Sequence, residues 1–225
     1  MRKNKNIYAH GSMLLALAAA LLFTPLGLMA QEEDAPAEGN GTTGQLKPAI
    51  ALGAPFVDNA ILQRELPVPV WGWSKPGTKI TVAFSGQKIT AEAGKNGKWM
   101  LKLKPLKASA EPAEMTISDS EGKTVVLKNV LVGEVWMASG QSNMQWKPVK
   151  CDVGLLLKRI ADSVKAGKEN QPVIREFEVT SVYSALHPIE HATGAWKDGD
   201  FQEYSAIAFA FAYELYKELG VPIGI

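Results

Sequence analysis

Val130-Leu131-Val132-Gly133-Glu134-Val135-Trp136-Met137-Ala138-Ser139-Gly140-Gln141-Ser142-Asn143-Met144 is the stretch where the grammar of this chain changes. Leu131 to Ala138 is mostly apolar and does not alternate, which is how a strand covered on both faces reads. It ends in a short polar turn carrying Gly140 and two serines, Ser139 and Ser142. Upstream the pattern is different. Ile80, Val82 and Phe84 alternate with Lys79, Thr81 and Ala83, and Trp99, Leu101 and Leu103 alternate with Lys98, Met100 and Lys102. Gly86-Gln87, Gly94-Lys95-Asn96-Gly97 and Ser120-Glu121-Gly122 supply turns at the spacing of a small antiparallel β-sandwich. Pro67 and Pro69 remove ladder donors, so the strand from Val68 to Trp73 is expected as an edge or entry strand.

Downstream, strands alternate with helices. Val153 to Lys165 carries Leu155, Leu156, Ile160 and Val164 at near-helical spacing, with Asp152 placed to cap. Val173 to Val179 reads as a strand. Tyr204 to Leu219 reads as a helix with Ile207, Phe211 and Leu215 four apart, closed by Gly220, and Val221 to Ile225 begins another buried strand. That alternation predicts a parallel α/β sheet covered on both faces. The expected organisation is therefore a leader over 1–30, a linker over 31–51, a β-sandwich module over 52–130 and the start of an α/β domain over 131–225.

In an open α/β sheet, ligands sit beyond the carboxyl ends of the strands. A serine on a glycine-containing turn at that place exposes its hydroxyl and offers its own N–H to an oxyanion. The turn is not the Gly-x-Ser-x-Gly elbow, because Met144 stands at the second glycine position. Spacing alone favours a structural turn serine, and Gln141 and Asn143 read equally as turn-shaping residues or as support for the site.

The segment 130–144 resembles the signature around the serine of the sialate O-acetylesterase family of SGNH hydrolases. Phe56-Val57-Asp58-Asn59-Ala60-Ile61-Leu62-Gln63-Arg64 with Val68-Pro69-Val70-Trp71-Gly72, then Gly97-Lys98-Trp99, and Ser205-Ala206 through Val221-Pro222-Ile223-Gly224 fit the same family, so the likeness spans roughly 52–225. It implies an SGNH (flavodoxin-like) hydrolase domain that removes acetyl groups from sugar hydroxyls through an acyl-enzyme. Ser142 is then the nucleophile, with Gly140, Gln141 and Asn143 as oxyanion or turn support, and neither metal nor organic cofactor is required. The family's next glycine-rich block, its oxyanion asparagine and its Asp and His are expected beyond Ile225. The 225 residues then supply a nucleophile without its activating partners and are expected to be inactive alone.

Arg2, Lys3 and Lys5 precede the apolar run from Met13 to Phe23, which is too short to span a bilayer, and small residues lead to Ala30. A secretory signal cleaved after Ala30 is the expectation, with a secreted or periplasmic product that keeps no stable membrane association. Its removal takes the formal charge from +1 to −2, which argues against a nucleic-acid partner. Lone Cys151 has no intrachain disulfide partner and is expected as a bland, partly buried thiol. His187 and His191 stand four apart but lack a third ligand, and Pro188 disturbs the turn, so a surface loop is the simpler reading than a metal site. Trp71, Trp73 and Trp99 are open to two readings, as core or as the sugar platform of a secreted non-catalytic carbohydrate-binding module, with core the commoner fate of large aromatics. An O-acetylated sugar or glycan is the expected partner. Which sugar is not written in these residues.

Overall fold

The alternating segments become strands and the two periodic apolar segments become helices. The computed structural model describes residues 50–180 and 191–225, so the leader, most of the linker, His10 and His187 lie outside the described residues. The strands are β1 (Ile50–Leu52), β2 (Ile61–Gln63), β3 (Val68–Ser74), β4 (Lys79–Phe84), β5 (Gln87–Glu92), β6 (Lys98–Leu103), β7 (Ser109–Asp119) and β8 (Thr124–Val135). They are followed by α1 (Val153–Lys165), β9 (Ile174–Val179), β10 (Gly194–Asp198), α2 (Ala206–Leu219) and β11 (Ile223–Gly224). The result is a mixed α/β structure, rich in sheet and with few helices.

Two sheets result. One is three-stranded and antiparallel, in the order β1-β3-β6, and the other is eight-stranded, in the order β10-β9-β11-β8-β7-β4-β5 with β2 on β8. β4, β5, β7 and the first half of β8 pair antiparallel, and Ser85 and Gly86, both with positive φ, make the two-residue turn between Phe84 and Gln87. One core takes Val70, Trp99 and Leu101 from the smaller sheet and Ile80, Val82, Met115 and Ile117 from the larger. Each such side chain contributes roughly 1.5–3 kcal/mol of burial.

β8 carries the change of grammar within a single strand of 12 residues. Its amino half pairs with β7, and its carboxyl half gains parallel neighbours, β2 opposite Leu131–Gly133 and β11 opposite Glu134 and Val135. Val130 through Gly133 are buried in succession, as the absence of alternation predicts. β8 thus runs across the expected boundary at 130/131, and the described residues fall within one compact unit. Asn59 and Asn129, both left-handed, meet where the strand changes partners. Asn129 Nδ2 donates to Asn59 Oδ1 at 2.7 Å, and Arg175 Nη1 from β9 donates to both backbone carbonyls at 2.9 and 2.8 Å.

Several local expectations need correction. β3 is the central strand of its sheet, but β1 reaches only Gly72 to Ser74, so Pro69 falls where β3 has β6 alone as neighbour. The α/β part is mixed rather than parallel throughout, because β10, which lacks a strong apolar pattern, pairs antiparallel with β9. Asp152 occupies the N-cap position of α1 but has helical φ and ψ and makes no side-chain cap. In α2 the Ile207 and Phe211 stripe faces outward, 52% and 44% exposed, while Ala208, Phe209, Ala212 and Tyr213 pack inward against Ile174 and Ile223. Small residues let the helix approach β9 and β11 closely, so the bulkier stripe is not the buried one. Gly220 closes α2 in the left-handed conformation, as expected (φ 63°). Strand β1 begins at Ile50, inside the expected linker.

Candidate active site

The carboxyl end of β8 is fixed before the serine turn begins. Glu134 N–H donates to Pro222 O and Trp136 N–H to Gly224 O, each at 2.9 Å, while Gln63 Oε1 accepts from Val135 N–H at 2.8 Å. Arg64 N–H donates to Gly133 O, and its Nε donates to Glu134 Oε1 at 2.7 Å. That contact holds the Arg64 pKa above its ordinary value. A Cβ on Gly133 would stand 1.8 Å from Pro222 O, so the approach of β8 and β11 requires glycine here.

Seven residues beyond the end of β8, Ser142 opens a 3-10 turn, Ser142–Gln145, and is exposed. Gly140, Gln141 and Asn143, its neighbours in the chain and the other residues expected at the site, are exposed beside it. Met144 N–H donates to Gln141 O at 2.9 Å, and Gln141 makes no side-chain cap. The turn is therefore shaped by the Gln141 carbonyl rather than by its side chain. A Cβ on Gly140 would stand 2.6 Å from Met144 Cγ, and Met144 itself packs on the core beneath α2. The first N–H groups of a 3-10 turn have no acceptor within it, which leaves those of Ser142 and Asn143 unclaimed by the turn itself.

The far side of the turn is pinned to α2. Ala206 N–H donates to Trp146 O at 2.8 Å, and Lys147 Nζ donates to Glu203 O. Ser205 N–H donates to Glu176 Oε2, and Lys197 bridges Glu176 and Glu178. Partial burial pulls the Lys197 ammonium down, but Glu178 and Glu176 outweigh it and hold its pKa above the usual lysine value. The same contact lowers that of Glu178. Trp136 meets Phe211 edge to face at 5.3 Å, beside the turn. Sequence reasoning missed Met144, Trp146 and Lys147 as the anchors of this loop. The only signal was their apolar and cationic character next to a polar turn.

Among the described residues, no histidine or carboxylate is hydrogen-bonded to Ser142. His191 lies instead against Trp73 of β3, ring centroids 3.9 Å apart. Its pairing with His187 falls outside the described residues, and among the described residues no three His, Cys, Asp or Glu side chains converge as a metal site would require. Cys151 is exposed rather than partly buried, because it ends the 3-10 turn Pro148–Lys150 at the surface. Among the described residues no helix is long and apolar enough to cross a membrane.

No protein-family model matches the chain. Curated proteins do. The chain is 28% identical to the sialate O-acetylesterase of Mus musculus, over 76% of this chain and 34% of that protein. It is also 28% identical to the sialate O-acetylesterase of Homo sapiens, over 76% of this chain and 35% of that one. The chain thus spans about a third of the length of the curated relatives it matches. Among solved structures it is similar to a carbohydrate acetylesterase from Xanthomonas citri, with 34% identity and a TM-score of 0.68, over 78% of this chain and 39% of that one. The resemblance to sialate O-acetylesterases carried by the serine segment is borne out: this chain is similar to part of such a protein.

Proposed function

We propose that this chain forms part of an exported carbohydrate O-acetylesterase in which Ser142 is the nucleophile. The observation that carries the proposal is the place of Ser142. It is exposed on a tight turn beyond the carboxyl end of β8, where that strand has parallel neighbours on β2 and β11. The names of the relatives support acetyl-ester hydrolysis as the chemistry. On this reading the β-rich half is a β-sandwich module, and β8, β11 and β9 begin an SGNH-type sheet.

In the proposed reaction Ser142 Oγ attacks the acetyl carbonyl carbon as its proton passes to a general base. The carbonyl oxygen becomes an oxyanion, which the N–H groups at the head of the turn are placed to meet. Collapse breaks the ester C–O bond and returns a proton to the sugar oxygen, and water then releases acetate from the acyl-serine. The base is not among the described neighbours of Ser142. A serine without a base loses several orders of magnitude in rate, so the 225-residue polypeptide on its own is proposed to be inactive.

The test is acetate release from an O-acetylated monosaccharide by the protein expressed from its whole reading frame, with and without Ser142→Ala. The proposal expects turnover that the substitution abolishes. Turnover that survives Ser142→Ala refutes it.

A further inference from the structure

We infer that the smaller sheet carries a second carbohydrate subsite, separate from the serine turn, that takes a β-linked pyranose chain. An open depression of about 540 Å³ is lined by Trp71, Trp73, Trp99, Met100, Glu92 and Lys98, together with glycine backbone. The pattern of β3 explains it. Val70 and Gly72 are buried, whereas Trp71 and Trp73 project to the opposite face, about 7 Å apart along the strand. Their cross-strand partners on β6 are Met100 and Lys98, both exposed, and Met100 is 57% exposed. A large apolar side chain left open beside two indoles is not packing the core.

The indoles are held in place rather than loose. Trp71 and Phe56 meet edge to face with centroids 4.7 Å apart, and a Cβ on Gly53 would clash with Trp71 Nε1, so only glycine there leaves room for the ring. Trp73 is braced by His191. Trp99, opposite Gly72 in the register, turns its ring to the core face and anchors the sheet from behind, 3% exposed. Pre-set aromatic surfaces bind without the entropy cost of ordering them. A pyranose with equatorial substituents presents a flat C–H face to an indole and its hydroxyls to the sides, where Glu92 supplies an acceptor and Lys98 a donor. β-Linked gluco- and xylo-configured chains have that shape along their length. The subsite does not depend on Ser142, since its residues come from β3, β5 and β6, and Ser142 is on a different loop.

The test is calorimetric titration of the full chain with cellohexaose and xylohexaose. The expected result is saturable binding to at least one of them, weakened about tenfold or more by Trp73→Ala and unchanged by Ser142→Ala. Should Trp73→Ala not fold, as judged by circular dichroism, Met100→Glu reads the same face with the indoles intact and is expected to weaken binding similarly. No binding by the wild type, binding indifferent to the variants that fold, or binding lost with Ser142→Ala overturns the subsite. Failure of the esterase reading would show instead in acetate release, with oligosaccharide binding retained.

Discussion

Replacing Arg175 by Met tests the joint on which the two halves of the sheet meet. The side chain is 5% exposed and makes four contacts. Nε and Nη2 lie 3.0 and 2.9 Å from Asp198 Oδ2, and Nη1 donates to the carbonyls of Asn59 and Asn129 at 2.9 and 2.8 Å. Met fills similar volume but donates nothing. Asp198, 47% exposed, regains water when the guanidinium goes, so its loss costs little. The two carbonyls belong to left-handed asparagines at a crowded junction, and each loses a charged donor worth roughly 1–2 kcal/mol net in a partly buried setting. The expected destabilisation is therefore about 2–4 kcal/mol. In a unit of this size that lowers Tm by about 5–15 °C. Urea titration followed by circular dichroism measures it, with Asp198→Asn as the companion variant, expected to cost under about 1 kcal/mol. A loss below about 1 kcal/mol for Arg175→Met, or equal losses for the two variants, would refute the reasoning that the carbonyl contacts hold the joint.

Gly133→Ala places a methyl group at 1.8 Å from Pro222 O, so β11 must leave β8; a loss of more than about 3 kcal/mol by thermal denaturation is expected. Tyr204 is fully buried, with its hydroxyl against the carbonyls of Ile174 and Lys197, and burial raises its pKa well above the ordinary tyrosine value. An unfolded chain releases that proton above about pH 10 while the folded one retains it, so stability falls as pH rises past that point. Tyr204→Phe should flatten the decline in urea midpoint between pH 9 and 11 while costing about 1–2 kcal/mol at pH 7. Gly220→Ala forces a Cβ into the left-handed cap of α2 and is expected to cost about 1 kcal/mol in the same denaturation assay.

The turn glycines and alternating strands made the β-rich half legible, because period two and local backbone rules act over a few residues. The change of grammar at Val130 was also legible, since an apolar run that stops alternating fits a strand covered on both faces. What could not be read was partner choice. That β8 serves both halves as one strand depends on pairing with β2 and β11, which are about 70 and 90 positions away in the chain. The prolines of β3 looked like an edge because local chemistry does not show where β1 stops. Which face of α2 is buried could not be read from its spacing, because bulky residues dominate a hydrophobic pattern while alanines set how closely a helix approaches a sheet. At the candidate site, the Ser142 turn stood out only through its resemblance. Its supports act through long-range contacts that no spacing rule encodes: Met144 packs on the core, the Trp146 carbonyl accepts from Ala206 N–H and Lys147 Nζ donates to Glu203 O.

The reactivity of Ser142 as a nucleophile can be read directly. The protein expressed from its whole reading frame is treated with a fluorophosphonate, digested with trypsin, and the peptide covering 129–150 is sequenced by tandem mass spectrometry. That peptide holds both Ser139 and Ser142, so the fragment ions tell them apart. One adduct is expected, on Ser142, blocked by prior incubation with an acetyl-ester substrate. An adduct on Ser139, or no adduct on this peptide while another serine is labelled, contradicts it.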